Sequence, residues 1–191
     1  MGVDASGTSS IWQRMVRAAK LEVNLYEEVE RDTGANGQAF AVVLLVSVAS
    51  GIGWAIAGAI AGEGIWVLGG FLIGIVTSVI GWLVWAAITY WIGTTIFKVP
   101  ETSATYGELL RTLGFAQSPG VLRLLVFIPF LGALIAFVVW VWVLVAGVIA
   151  VRQALDFSTG RAIGTVAVGW LIMIVINFLV SLAVGGTAAL S

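Results

Sequence analysis

The sequence predicts an all-α polytopic membrane protein, in which a bundle of five transmembrane helices follows an amphipathic helix on the cytoplasmic side. Hydrophobic residues fill 60% of the 191 positions and charged residues only 10%, whereas soluble domains average about 45–50% and about 25%. The charged residues avoid four long apolar runs, and all nine basic residues can be placed on one side of a bilayer. A chain of this composition is predicted to contact the lipid bilayer over much of its surface.

The composition also excludes several classes of function. The chain has no cysteine and no histidine, which excludes disulfides, thiol chemistry and imidazole ligands to a metal or haem. Its net charge is −1, and it has no basic stripe of the kind that binds nucleic acid. We therefore expect no cofactor and no nucleic-acid partner.

Residues 1–37 are predicted to form a cytoplasmic segment with one helix, from Ser10 to Asp32. Ser10 and Gln13 have the spacing of a capping box, which would satisfy free amide groups at the helix start. Apolar residues recur at helical spacing and form one stripe along this helix. The stripe consists of Trp12, Val16, Ala19, Val23 and Tyr26.

Two interpretations of this helix remain open. It can anchor at the membrane surface or dock a partner, with its basic first half on acidic headgroups, or it can be a solvated helix packed on its own membrane domain. The residues predicted to dock a partner or the membrane are Trp12, Arg14, Arg17, Lys20 and Tyr26.

Residues 38–191 are predicted to form the membrane domain, which begins with two antiparallel spans. The first, Ala39 to Ala61, is about 34 Å long and exceeds a hydrocarbon core of about 30 Å. The second lies in the uncharged run of residues 65–97, and we expect it to start near Gly69. Glycines at GxxxG spacing allow helix backbones to approach closely, so they predict either packing of these two spans or a face for another membrane protein. The glycines are Gly58, Gly62, Gly70 and Gly74.

Three further features follow the second span. Thr105 and Glu108 have capping-box spacing, which predicts a brief helix on the membrane surface within residues 98–118. Two later runs, residues 131–150 and 162–184, are predicted to be the last two spans.

The stretch from Ser118 to Gly132 lies between the surface helix and these last spans. It carries Arg123, and its part from Pro119 to Phe130 is only about 18 Å long as an α-helix. Pro119 suits the first turn of such a helix, while Pro129 and Gly132 suit the turn out of it.

Charge placement predicts that this short stretch crosses the bilayer. Lysine and arginine in short loops stay in the cytoplasm, and a fifth crossing places every basic residue on one side. Without it, Arg152 and Arg161 would be outside. We therefore predict a multi-pass protein of a prokaryotic plasma membrane, with its amino terminus inside and its carboxyl terminus outside. The basic residues are Arg14, Arg17, Lys20, Arg31, Lys98, Arg111, Arg123, Arg152 and Arg161.

Several motifs resemble those of the Yip family of Ypt-interacting proteins. They are LYEEVERD (Leu25 to Asp32), LLRTLGFAQSPGVL (Leu109 to Leu122), IPFLG (Ile128 to Gly132) and VWVLVAGVIAVRQAL before the last loop. The most specific piece is the run from Gly114 to Pro119. The resemblance implies five spans, a cytoplasmic amino terminus and no catalytic residues.

The resemblance implies less about partners. Eukaryotic members associate with prenylated Rab-type GTPases, but this chain lacks their long amino-terminal region and is similar to compact bacterial members. Rab binding is therefore not carried over to it.

Two functions are compatible with the sequence. No ionisable residue lies inside the four long runs, where it would mark an ion pathway, and no residue pattern predicts an enzyme. The preferred prediction is a non-enzymatic scaffold or adaptor that binds other membrane proteins or a partner on the cytoplasmic face. An accessory subunit of a larger complex is one variant of this prediction, and a homo-oligomer is compatible with it. The alternative is a transporter or lipid-handling protein with a cavity between its spans. A polar cavity lined by Thr89, Tyr90 and Asn177 would favour that alternative, and a closed bundle would favour the scaffold.

Overall fold

The computed structural model describes residues 10–62, 66–100 and 102–188, and this part of the chain is all-helical. The helices are α1 (Ile11–Ala19), α2 (Val23–Arg31), α3 (Ala35–Ala61), α4 (Trp66–Thr95), α5 (Tyr106–Ala116), α6 (Gly132–Ala154) and α7 (Thr159–Ala188). A 3₁₀-helix, Ser118–Phe127, connects α5 to α6 and is called the 3₁₀ segment below. The predicted all-α class is confirmed.

Four of these helices are long and apolar enough to cross a membrane. They contain the stretches Ala35–Ala61, Gly70–Thr95, Gly132–Ala154 and Thr159–Ile176. These four correspond to the four long spans predicted from the apolar runs. Helix α4, which contains the second stretch, begins at Trp66, slightly before the predicted start near Gly69.

The amino-terminal segment forms two helices where one was predicted. Leu21 adopts a left-handed backbone conformation with φ 61°, which ends α1 and turns the chain before α2 begins. The predicted apolar stripe is therefore not continuous, because Trp12, Val16 and Val23 are exposed while Tyr26 is fully buried. The residues of α1 and α2 that are buried in the common hydrophobic core are Met15, Ala18, Leu25, Tyr26 and Val29.

Helices α1, α2 and α5 cover one end of the bundle, and we call them the end layer. The predicted capping box starts α5, since Glu108 N donates to Thr105 Oγ1 at 3.3 Å and Thr105 N donates to Glu108 Oε2 at 2.7 Å. Trp82 Nε1 in α4 donates to the carbonyl oxygen of Leu110 at 3.2 Å. In the same way Trp142 Nε1 in α6 donates to the carbonyl oxygen of Ala19 at 2.8 Å. Indole groups from the membrane helices therefore hold the end layer in place.

The 3₁₀ segment runs lengthwise along α3. Gly114 at the end of α5 packs on Ala39, Gly120 packs on Val46, and the backbone at Arg123 packs on Gly53. The segment ends beside Ala57, because Phe127 and Ala57 line the same small cavity. Contact of the end of α5 and the 3₁₀ segment with α3 therefore extends over 19 residues, from 39 to 57, which is about 27 Å of helix.

A 3₁₀-helix spans more length per residue than an α-helix does. It rises about 2.0 Å per residue where an α-helix rises about 1.5 Å, so the ten residues of the segment extend about 20 Å. From its far end α6 returns to the end layer, where Gln153 Nε2 donates to Glu27 Oε1 at 2.9 Å. Arg152 and the start of α7 consequently lie at the same end of the bundle as α2.

Candidate functional site

Arg14, predicted to dock a partner, lies inside the end layer. Its side chain is only 3% exposed, and its three nitrogens each have an acceptor. Nε donates to Glu28 Oε1 at 3.0 Å, Nη1 to Gln38 Oε1 at 3.0 Å and Nη2 to Asp32 Oδ2 at 2.7 Å. Arg14 therefore joins α1 to α2 and to the start of α3.

Arg17 extends the same network. Its Nε lies 3.0 Å from Glu22 Oε2 and its Nη1 lies 2.5 Å from Glu28 Oε2. Burial raises the pKa of Glu28, but hydrogen bonds from Arg17 and Arg14 outweigh it and the net pKa is lowered. The hydrogen bond from Arg14 likewise lowers the pKa of Asp32. These carboxylates are thus held in the charged form that pairs with the arginines.

The remaining predicted docking residues are placed differently. Trp12 is 63% exposed on α1, and Lys20 is exposed at the end of that helix. Tyr26 is buried and donates from its hydroxyl to the carbonyl oxygen of Ala18 at 3.3 Å. Of the five predicted docking residues, Trp12 and Lys20 are therefore the most accessible to a partner or a membrane surface.

Arg111 is a buried cation that the sequence analysis did not single out. Its Nε donates to the carbonyl oxygen of Val29 at 2.8 Å, its Nη1 to Asn36 Oδ1 at 3.3 Å, and its Nη2 to the carbonyl oxygen of Glu30. It therefore binds carbonyl groups at the end of α2, which have no partner within that helix. The sequence pattern around this single arginine of α5 does not predict its long-range contact with α2.

The four glycines at GxxxG spacing are not brought together. Gly58 is buried, whereas Gly62 ends α3 with φ 83°. A Cβ added at Gly70 or Gly74 would meet open space. Helices α3 and α4 instead approach where Gly51 packs on the ring of Phe71.

The short stretch forms a 3₁₀-helix and not the predicted α-helix, and its proline and glycine residues lie at the two ends of that helix. Pro119 occupies the first turn of the 3₁₀ segment. Phe130, which follows Pro129, has φ 63° and is fully exposed. A Cβ at Gly132 would collide with the carbonyl oxygen of Val126, so only glycine allows this return into α6.

A large cavity lies between the membrane helices, below the end layer. Its volume is about 1040 Å³, and α3, α4, α6 and α7 line it together with residues of α5 and the 3₁₀ segment. The open row of small residues on α4 forms one wall. That row consists of Gly70, Gly74, Ser78 and Gly81.

Aromatic residues line much of the remaining cavity surface. Trp140 of α6 contacts Trp170 of α7 with ring centroids 5.4 Å apart, and both line the cavity. No aspartate or glutamate is among its lining residues in the described part of the chain. The tryptophans that line the cavity are Trp54, Trp82, Trp85, Trp140 and Trp170.

The polar groups of the cavity differ from those named in the sequence analysis. Thr89 is buried and donates to the carbonyl oxygen of Trp85 at 2.8 Å, Tyr90 does not line the cavity, and the side chain of Asn177 is outside the described residues. The polar side chains that do line it include those of Ser50, Gln117 and Arg123.

These three side chains have no hydrogen-bond partner among the described residues. Ser50 Oγ is buried and has no hydrogen-bond partner among the described residues. No described residue accepts from the Arg123 guanidinium or pairs with the Gln117 amide. The cavity can thus enclose an apolar molecule and offers it three polar contacts.

Comparison with protein families assigns the chain to a family. The sequence matches the Yip1 domain over residues 24–181, a range that includes part of the end layer and most of the membrane helices. Comparison with curated proteins gives no match, and comparison with solved structures gives none either. The match covers well over half of the chain, and the chain therefore belongs to the Yip1 domain family.

Proposed function

We propose that this multi-pass membrane protein is non-enzymatic and binds a lipid-like amphiphile in the cavity between its helices. The cavity of about 1040 Å³ carries this proposal, because ligand pockets of about 300–1000 Å³ are usual for small-molecule sites. A closed bundle would have favoured the scaffold. The proposal thus prefers the second of the two functions considered from sequence.

Filling the cavity tests this function. Gly74 and Gly147 line it, and a Cβ added at either would meet open space. Gly74→Leu and Gly147→Leu should therefore fold but leave less room for a ligand. Native mass spectrometry after mild extraction from a bilayer should show fewer retained lipids on these variants than on the wild type.

Matched controls have the same substitution outside the cavity. Gly37 and Gly160 are exposed and have open space at the added Cβ, so Gly37→Leu and Gly160→Leu should retain lipid like the wild type. Equal retention by all four variants and the wild type would refute binding in the cavity.

A second function, the adaptor, is favoured by the surface of the end layer. Trp12 and Arg31 have side chains that are 63% and 79% exposed, and Lys20 is also exposed. The internal ion pairs leave these three side chains accessible to a protein partner or to acidic lipids. Trp12→Ala combined with Lys20→Glu and Arg31→Glu should reduce recovery of cross-linked partner proteins, and recovery of only this chain, alone or as a homo-oligomer, would contradict the adaptor.

The proposed topology has five crossings, with the end layer in the cytoplasm of a prokaryotic cell. It is supported by the run of the 3₁₀ segment along α3 and by the rule that basic loops stay inside. Because the chain has no native cysteine, single cysteines can be labelled without background. An impermeant maleimide should label Phe130→Cys in intact cells and leave Ser10→Cys and Ser158→Cys unlabelled; the reverse pattern would invert the topology.

A further inference from the structure

We infer that the cavity selects a membrane lipid that carries a phosphate, and that Arg123 binds this phosphate. The inference rests on the proposed function and adds the chemical class of the ligand. Its starting point is that Arg123 lines the cavity and that its guanidinium has no hydrogen-bond or ion-pair partner among the described residues. A charged side chain inside a membrane domain is costly and normally pairs with an opposite charge.

The guanidinium lies within the bundle and not at its far end. The backbone of Arg123 packs on Gly53, but Nη1 turns back and lies 3.6 Å from the position of a Cβ at Gly120. Gly120 packs on Val46, which is 11 residues after the start of α3 at Ala35, or about 16 Å along the helix. The charge therefore lies beside the cavity, between the middle of the bundle and the end layer.

The 3₁₀ geometry places a second donor in the same row. Residues three apart in a 3₁₀-helix lie above one another, so Gln117, Gly120 and Arg123 share one face. Gly120 has no side chain and leaves room for the guanidinium between its neighbours. Gln117, which directly precedes the 3₁₀ segment, and Arg123 both line the cavity.

Helix α3 contributes a third group from the facing side. Val46, Ser50 and Gly53 are spaced by four and three residues and form one stripe, and the first and last of them pack on the 3₁₀ segment. Ser50 lies between them, and its buried Oγ has no partner among the described residues. A hydroxyl, an amide and a guanidinium therefore line the same region of the cavity.

This set of groups fits an anion. The cavity lining contains one cation and, among the described residues, no carboxylate. Arginine binds phosphate through two parallel N–H groups, and the Ser50 hydroxyl and Gln117 amide can donate to the remaining oxygens. The five tryptophans and the glycine row then surround the acyl chains.

The test compares ligands that share acyl chains and differ in the head. Wild-type protein in nanodiscs with equal dioleoylphosphatidylglycerol and dioleoylglycerol should retain the phosphate-bearing lipid with a preference of about tenfold, the value of one charge-assisted contact. Arg123→Gln should abolish the preference. Arg123→Lys should keep part of it, because lysine retains the charge but lacks the two parallel N–H groups of the guanidinium. Arg152→Gln removes an equal charge at an exposed site and should behave like the wild type.

The outcomes separate this inference from the proposed function. Equal retention of both lipids by the wild type, lost on Gly74→Leu, would overturn the phosphate inference and leave the amphiphile cavity standing. Retention of neither lipid would overturn both. A preference that persists in Arg123→Gln would remove Arg123 from the site.

Two further arms keep the test decisive. Excess inorganic phosphate should not displace the bound lipid, and displacement would assign the groups to a free anion. If Arg123→Gln does not fold, Gln117→Ala and Ser50→Ala replace it, and each should lower the preference about threefold; an unchanged preference in both would contradict the inference.

Discussion

The end layer and the cavity treat buried polar groups in opposite ways. In the end layer Arg14 is almost fully buried, and its three nitrogens contact two carboxylates and one amide of the chain itself. In the cavity Arg123, Gln117 and Ser50 have no such partners among the described residues. In the end layer the chain itself supplies these partners, and under the proposed function a bound ligand supplies them in the cavity.

Of the substitutions that test this difference, removal of Arg14 should have the largest effect on the free energy of unfolding. Arg14→Gln removes the ion-pair partner of Asp32 and leaves Glu28 paired with Arg17 alone, and breaking a fully buried pair costs about 3–5 kcal/mol. Because these carboxylates are 31% and 28% exposed, we expect a loss of about 2–3 kcal/mol in the free energy of unfolding, discounted for solvent screening. Titration with a denaturing detergent measures it.

Arg31→Gln is the matched control for that change. Arg31 is 79% exposed and its nitrogen lies 3.7 Å from Glu27 Oε2, so its loss should cost less than about 0.5 kcal/mol. A similar cost for both arginines would show that burial in the end layer does not matter.

The next largest effect concerns the contact between α3 and the 3₁₀ segment. A Cβ at Gly53 would collide with the carbonyl oxygen of Arg123, and overpacking of this kind costs about 1–3 kcal/mol. Gly53→Ala should therefore lower the free energy of unfolding by that amount in the same titration. Gly147→Ala in α6, where a Cβ meets open space, should not lower it, and equal effects would disprove the close approach.

Arg123→Gln should change the free energy of unfolding in the opposite direction to Arg14→Gln. In protein stripped of lipid the substitution removes an unpaired charge from the membrane domain, so we expect the free energy of unfolding to rise by about 1 kcal/mol, well below the full cost of a charge at a bilayer centre. Arg152→Gln, at an exposed position, should leave it unchanged. A loss of stability like that of Arg14→Gln would mean that Arg123 already has a partner in the chain.

The smallest expected effect is a pH dependence within the end layer. Burial, with the nearby charges of Asp156 and Glu108, raises the pKa of Glu30 from 4.5 to about 7, against a smaller opposing effect of Arg31. Its contribution to stability is therefore full below pH 4.5 and is lost as the pH rises through 7. Solvent screening of this partly exposed group limits the loss to about 0.5–1 kcal/mol.

Glu30→Gln tests that assignment. The variant should show a flatter profile of unfolding free energy between pH 4.5 and 7, because the substituted group does not ionise. An unchanged slope would assign the pH dependence to groups other than Glu30.

Much of the fold could be predicted from sequence because long apolar runs report membrane helices directly. The capping box at Thr105 and the turn at Pro129 and Gly132 were also local signals, and they were found where predicted. The break at Leu21 could not be predicted, since no glycine or proline marks it and tertiary packing holds that backbone conformation.

Most of the candidate site could not be predicted from sequence either, because it also depends on tertiary packing. GxxxG spacing shows that a helix face carries small residues, but it does not distinguish a face that packs on another helix from one that borders a cavity. On α4 the row at Gly70 and Gly74 borders the cavity. Likewise, basic residues at the amino terminus suggested docking, and only the folded chain shows that Arg14 pairs internally while Arg123 does not.

The most direct measurement of the central claim is a cryo-electron microscopy map of the protein in a nanodisc of dioleoylphosphatidylglycerol, with a bound antibody fragment to increase its size. We predict elongated density between α4 and α7, with its head within hydrogen-bonding distance of Arg123, Gln117 and Ser50. A cavity closed by its own side chains, or an Arg123 guanidinium paired with another residue of the chain, would contradict the account.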